Sequence, residues 1–133
     1  MRSVYIFSTA TVAAIEESLG QADRRAENDW AVDGCLYVRI QIADVFVDGF
    51  EDVKEWVAGQ LGSEAVRVDV DVSGSVDGRT EVLSLVGRLS GLAPAVVFDD
   101  RSERSGWTSA EIAADATVDG RRLFVSPSHD DHA

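Results

Sequence analysis

Two pairs of aspartates are the residues whose type and spacing come closest to supporting chemistry. Asp69 and Asp71 are separated by one residue in an alternating segment, so both carboxylates are expected on one face of a β-strand. Hard oxygen ligands of this kind suit Mg²⁺ or Ca²⁺. Two carboxylates do not complete a metal site, and the sequence shows no evident third ligand. A solvated sheet face is therefore the favoured interpretation, and no metal is predicted.

The second pair, Asp99 and Asp100, directly follows the apolar run Ala95–Phe98. In open α/β sheets, ligands collect at the carboxyl ends of parallel strands. Acids at such a place could bind a metal or hold arginines. Local salt bridges with Arg101 and Arg104 are the favoured use, because exposed pairs of this kind are common and weak.

Other signatures of catalysis are missing from the sequence. It has no Gly-x-Ser-x-Gly, Walker A or His-Glu-x-x-His motif and no paired Cys or His set. The single cysteine, Cys35, is expected to be a small buried hydrophobe. The two histidines, His129 and His132, belong to a polar tail. We therefore predict no catalytic residues and no cofactor, and a protein that is not an enzyme.

The charge is the most informative bulk property. Twenty-four acidic residues against twelve basic ones give a net charge of −12. Nucleic-acid binding is disfavoured, because it needs a basic face. A negative field instead favours basic partners, although solubility alone would also explain the negative charge.

No apolar run is long enough to cross a membrane, and the apolar stretch after Met1 is too short for a secretory signal. A cytoplasmic protein is expected.

The region that must position both aspartate pairs is predicted to be a strand, a helix and a strand. The segment Ala65–Val72 alternates, with four valines on one face. Thr80 is a plausible N-cap for a helix whose apolar residues recur at helical spacing and which ends at Gly91. The run Ala95–Phe98 suits a strand buried on both faces. A unit of this length should place its two strands parallel, with a right-handed crossover.

The first half of the chain adds a strand, a helix and a hairpin. The strand is Val4–Ser8; the helix after it is capped by Ser8, Thr9 or Thr11 and ends at Gly20, and Gln21–Asn28 is interpreted as a loop. Asp33-Gly34 predicts a hairpin between two apolar runs.

Two capping boxes are predicted further along the chain. One is Asp48–Glu51, before a helix that Gly62 closes, and the other is Thr108–Glu111, before a short helix. Leu123–Val125 is a candidate edge strand. The prediction is a single α+β domain over residues 1–125 and a disordered tail over 126–133. It is a two-layer sandwich, with a mixed sheet of four or five strands and three main helices mostly on one face. A doubly wound α/β sheet is the alternative.

The segments Asp71–Gly74, Thr80–Leu89 and Phe98–Ile112 together resemble small acidic bacterial proteins of the immunity or antitoxin kind. The resemblance covers roughly the second half of the chain. It implies a protein that binds a toxin domain and blocks its active site. Such proteins are often acidic when the toxin is a basic nuclease.

On this hypothesis, the partner contacts lie on one rim, where acids would pair with the toxin's lysines and arginines and a tryptophan would act as an anchor. The predicted contact residues are Asp99, Asp100, Glu103, Trp107 and Glu111. For Trp107 the competing interpretation is packing, as the hydrophobic staple of the second capping box with Ile112. A second functional hypothesis is a small ligand-binding or regulatory module that uses the sheet rim. A third is an enzyme with carboxylate chemistry.

Overall fold

The computed structural model describes residues 2–19, 23–26, 29–32, 34–46, 49–62, 64–73, 77–100, 102, 106–118 and 122–123, with only the backbone of residues 23–26. The strands in these ranges are β1 Arg2–Ser8, β2 Asp23–Ala26, β3 Asp29–Val32, β4 Leu36–Gln41, β5 Val66–Val72, β6 Ala95–Asp99 and β7 Trp107–Thr108. The helices are α1 Val12–Leu19, α2 Lys54–Leu61, α3 Arg79–Ser90 and α4 Ser109–Ala113, and a 3-10 turn, Glu51–Val53, leads into α2.

The strands of the described ranges form one seven-stranded sheet in the order β2-β3-β4-β5-β1-β6-β7. Every neighbouring pair is antiparallel. The α+β class is therefore confirmed. The predicted mixed sheet of four or five strands is wrong, and so is the doubly wound alternative, which needs parallel neighbours.

The predicted strand-helix-strand unit exists as β5, α3 and β6, but its strands are not neighbours. Both β5 and β6 pair antiparallel with β1, so they run in the same direction with β1 between them. The predicted parallel direction is correct and the implied adjacency is not. Strand β1 fits this central place because it is apolar on both faces: Val4 and Ile6 point one way, and Tyr5 and Phe7 point the other.

One face of the sheet is covered by α1, α3 and α4. Val4, Ile6 and Val97 on this face belong to a large core cluster, which also takes in Ile15 of α1 and Leu85 of α3. The apolar stripe predicted for α3 is buried as expected. Its residues are Val82, Leu85, Val86 and Leu89.

On the other face, the described helices and connections cover one end of the sheet. Phe7, Val96 and Phe98 pack there with Val57 of α2 in a second core cluster. Phe46, from the connection between β4 and α2, stacks on Phe7 with ring centroids 5.2 Å apart. Helices α1, α3 and α4 thus share one face, while α2 and its connection cover part of the opposite face.

Several predicted boundary signals are present. The Thr11 hydroxyl accepts a hydrogen bond from a backbone N–H in the first turn of α1, at 3.1 Å. Thr108 and Glu111 form the complete capping box of α4. Helix α2 ends at Gly62, which is left-handed with φ 70°, and α3 ends before Gly91. These signals are local, so a single sequence reveals them.

Other boundaries differ from the prediction. Part of the segment predicted as a loop, Asp23–Ala26, is the edge strand β2. Thr80 does not cap α3, because the helix already begins at Arg79 behind the left-handed Gly78. The residue before the 3-10 turn is Phe50, which makes no side-chain cap. Cys35 is half-buried against the core instead of fully buried.

Some predictions fall on residues outside the described ranges. They are the helix stop at Gly20, the Asp33 of the hairpin turn, the N-cap Asp48, the candidate strand residues Phe124 and Val125, and the tail 126–133. The hairpin itself is present, with Val32 opposite Leu36 in the β3–β4 ladder.

Candidate functional site

The part of the second sheet face that α2 leaves open is formed by β3, β4, β5 and the start of β1. Antiparallel pairing aligns side chains on this face in two rows. One row runs from Arg39 through Asp69 to Tyr5, and the other runs from Tyr37 through Asp71 to Ser3. We call these six residues, together with Asp100, the open sheet face.

Asp100 reaches this face from the turn after β6. Its Oδ2 accepts a hydrogen bond from the backbone N–H of Ser3 at 2.7 Å, and its Oδ1 lies 3.5 Å from the Tyr5 hydroxyl. The Ser3 hydroxyl donates to Asp71 Oδ1. Ser3 therefore bridges two carboxylates that are 29 positions apart in the sequence, and only the insertion of β1 between β5 and β6 brings them together.

The charge of this face is only partly balanced. Asp69 is held by the Arg67 guanidinium, with Nε 2.7 Å from Oδ1 and Nη2 3.0 Å from Oδ2. Within the described ranges, neither Asp71 nor Asp100 has a cationic partner. An approaching ammonium or guanidinium group would find two carboxylates that are already oriented by hydrogen bonds.

The Tyr5 phenol reports on this electrostatic environment. Burial raises its pKa above 10.0, and the charges of Asp100, Asp69 and Asp71 raise it further, while a hydrogen bond with Ser3 acts in the opposite direction. A raised pKa means that the phenol stays neutral, and able to donate to Asp100, throughout the physiological range.

The protein has two tyrosines, so this shift can be measured directly. In a Tyr37→Phe variant, absorbance at the phenolate wavelength should show Tyr5 ionising above pH 10. Because the folded-state pKa lies above the unfolded one, the stability that Tyr5 contributes is complete below pH 10 and is lost as the pH rises further. Adding Asp100→Asn should move the transition to lower pH. Ionisation at or below pH 10 in Tyr37→Phe would contradict this account.

The structure separates the residues predicted as one contact rim. Asp99 is 6% exposed, lies on the helix-covered face opposite Val4, and accepts a hydrogen bond from the Ser102 hydroxyl. Trp107 is 1% exposed, and its Nε1 donates to the carbonyl of Ala116.

Of the remaining predicted residues, Glu111 is half-buried, and its carboxylate accepts the backbone N–H of Thr108 in the capping box. Glu103 lies outside the described residues. Asp100 alone among the four described residues is exposed and points to an open surface.

The residues that the sequence analysis does not single out are Ser3 and Tyr5, while for Asp71 it weighs a metal ligand and favours a solvated sheet face. Their signal was present, because Ser3, Tyr5 and Phe7 alternate with the buried Val4 and Ile6. The alternation does not indicate which strands pair with β1. Without that pairing, nothing placed Ser3 beside Asp71 and Asp100.

The open sheet face is suited to recognition by charge and hydrogen bonds. Among the residues that the structure describes, no three His, Cys, Asp or Glu side chains are arranged to hold a metal ion. The described helices also include none with the length and apolar character needed to span a membrane.

Comparisons with protein-family models, with curated proteins and with solved structures gave no match to this chain.

Proposed function

We propose that this protein is an immunity- or antitoxin-type inhibitor that acts in the cytoplasm and binds a basic protein toxin through the open sheet face. One observation carries the proposal. Asp71 and Asp100 lie on a part of the sheet face that none of the described helices covers, without a cationic partner among the described residues, and Ser3 orients both carboxylates. The resemblance of the second half to immunity proteins supports the choice of partner.

Charge gives such an interface both speed and orientation. A net charge of −12 attracts a basic partner over a distance of about 8–10 Å at moderate salt. At contact, arginine can bind a carboxylate through two parallel hydrogen bonds. Tyr37, which is 38% exposed beside Asp71, adds an aromatic side chain of a type that is enriched in binding hot spots.

The proposed contact surface differs from the one expected from sequence. Asp99 and Trp107 are buried, so contact through them would require the β6–β7 region to open and expose apolar surface. Asp100 is retained as a contact. The other proposed contact residues are now Asp69, Asp71, Tyr5 and Tyr37.

The first test is whether the protein co-purifies with the product of an adjacent toxin gene and blocks its activity. The binding surface is then tested with Asp100→Lys and the matched control Glu17→Lys. Glu17 is exposed on α1, on the opposite side of the sheet, and each change raises the net charge by the same amount. Asp100→Lys should slow association about tenfold at low salt, with a smaller effect at high salt. Glu17→Lys should change it less than twofold.

Asp100→Asn separates charge from local structure, because an amide oxygen still accepts the Ser3 N–H. It should lower the association rate less than Asp100→Lys and leave the melting temperature nearly unchanged. An association rate at low salt that does not respond to Asp100→Lys would count against the open sheet face.

A further inference from the structure

A second surface feature lies where β4 ends and β5 begins. Gln41 and Arg67 are opposite each other in the β4–β5 ladder, so these two strand ends share one edge of the sheet. The segment Ile42–Phe46, the start of α2 and the residues just before β5 enclose an open cleft of about 730 Å³. This volume lies within the range of roughly 300–1,000 Å³ that is usual for ligand pockets.

The floor of the cleft is apolar. Ile42 is 59% exposed, although exposing a large aliphatic side chain to water is unfavourable. Val45, Phe46 and Ala65 line the floor and are half-buried. Phe46 stacks on Phe7, and Val45, Phe46 and Ala65 all pack against the second core cluster, so the fold itself shapes this part of the floor.

The rim of the cleft is acidic. Asp44, Glu51 and Glu64 line it and are exposed, and within the described ranges none of them has an ion-pair partner. Lys54, the only lysine of the chain, is the one basic residue among the described residues of the lining, and its Nζ lies 5.9 Å from the centroid of the Phe46 ring. Three carboxylates against one ammonium leave the rim negative, which favours a cationic occupant with an apolar part.

The cleft is connected to the open sheet face through Arg67. Its Nη1 donates to the carbonyl of Val45 in the cleft wall at 3.0 Å, while its Nε and Nη2 hold Asp69 on the sheet face. The two surfaces are therefore neighbours around one buried side chain, and one macromolecular partner can contact both.

From this geometry we infer that the cleft receives an apolar side chain of the basic partner protein, flanked by arginine or lysine. The apolar floor would bury the side chain and the acidic rim would pair with the flanking cations. This inference rests on the proposed function and deepens it, because it gives the partner an anchor in addition to the charge contacts of the open sheet face.

The test uses the full chain and a minimal probe, the peptide acetyl-Arg-Trp-Arg-amide, followed by amide chemical shifts in NMR. Shifts should be largest at Ile42, Phe46 and Ala65. The control peptides acetyl-Glu-Trp-Glu-amide and acetyl-Arg-Gly-Arg-amide, which lack the cations and the apolar side chain respectively, should bind at least fivefold more weakly. Equal binding of all three peptides would overturn the inference.

Two variants make the test specific to the cleft. Glu64→Lys, on the rim, should weaken binding of acetyl-Arg-Trp-Arg-amide at least threefold. Glu55→Lys, an equal charge change at an exposed position of α2 that does not line the cleft, should change it less than twofold. Equal effects of the two variants would also overturn the inference.

The remaining outcomes separate this inference from the proposed function. Shifts confined to Tyr37, Asp71 and their neighbours would overturn the cleft as an anchor site but leave the open sheet face standing. Equally tight binding of uncharged N-acetyl-tryptophan amide would overturn the inference in favour of the small-ligand hypothesis. Cleft binding of the cationic peptide, combined with toxin association that does not respond to Asp100→Lys, would support the cleft and count against the open sheet face.

Discussion

Replacing Gly106 with alanine should destabilise the protein by about 3 kcal/mol, the upper part of the range for overpacking a core. A Cβ at this position would collide with the carbonyl oxygen of Val97 and would lie 2.9 Å from its carbonyl carbon. These are backbone atoms of β6, which is buried and hydrogen-bonded on both sides, so they cannot turn away as a side chain would. Thermal unfolding should show a fall of about 10 °C in the midpoint.

Gly87→Ala is the matched control for this experiment. Gly87 is exposed inside α3, and a Cβ there would meet nothing within 4 Å. The same chemical change should therefore stabilise the protein by about 0.5–1 kcal/mol, because alanine loses less backbone freedom than glycine in a helix. Destabilisation by both variants, or by neither, would contradict the close approach of residue 106 to β6.

The elements that could be predicted from sequence are those whose signal is local. The stripe of α3 and the continuous apolar run of β6 both report burial within one element, and both are buried as expected. The capping box of Thr108 and Glu111 is likewise a contact between residues three positions apart. Such patterns do not depend on which strand lies next to which.

The sheet order could not be predicted, because it depends on pairings between distant segments. An alternating strand such as β5 indicates one buried face and nothing about its neighbour. The strand-helix-strand unit suggested adjacent parallel strands, yet β1 pairs with both and separates them. Strand β2, with the sequence Asp-Arg-Arg-Ala, resembles a loop because edge strands are often charged.

The candidate site also combines features that are local in the sequence with features that depend on pairing between distant segments. Asp99 and Asp100 are adjacent in sequence and were predicted to share a surface. Because β6 continues through Asp99, its side chain alternates onto the helix-covered face opposite Val4, while Asp100 belongs to the turn and hydrogen-bonds to Ser3. The position at which β6 ends therefore decides which of the two carboxylates a partner can reach.

Arg67 is the residue for which sequence was most misleading, and its loss is the second large effect that we expect. It alternates with the valines of β5 and so shares the face of Asp69 and Asp71, for which the sequence predicts contact with solvent, but it is only 4% exposed. Its guanidinium binds both oxygens of Asp69 and the carbonyl of Val45, and it lies 4.6 Å from the ring centroid of Phe50. One side chain therefore ties the sheet to the connection between β4 and α2.

Arg67→Ala should destabilise the protein by about 2–4 kcal/mol, somewhat below the cost of breaking a fully buried ion pair, because the Asp69 side chain keeps 21% of its exposure. Chemical denaturation would measure the loss. Arg67→Lys should recover only part of it, since an ammonium group cannot reproduce the two-pronged contact with Asp69 while also reaching Val45.

Arg39→Ala is the control for Arg67→Ala. Arg39 is 68% exposed in its side chain and lies 3.8 Å from Asp29, so this surface pair should contribute about 0–1 kcal/mol. Hydrogen exchange would show which segment is destabilised, because loss of Arg67 should accelerate amide exchange in the segment Ile42–Phe46 more than in α3. If Arg67→Ala and Arg39→Ala cost the same, the buried guanidinium does not hold the cleft wall against the sheet. The open sheet face and the cleft would then be independent surfaces, and a partner that contacts one would gain nothing from the position of the other.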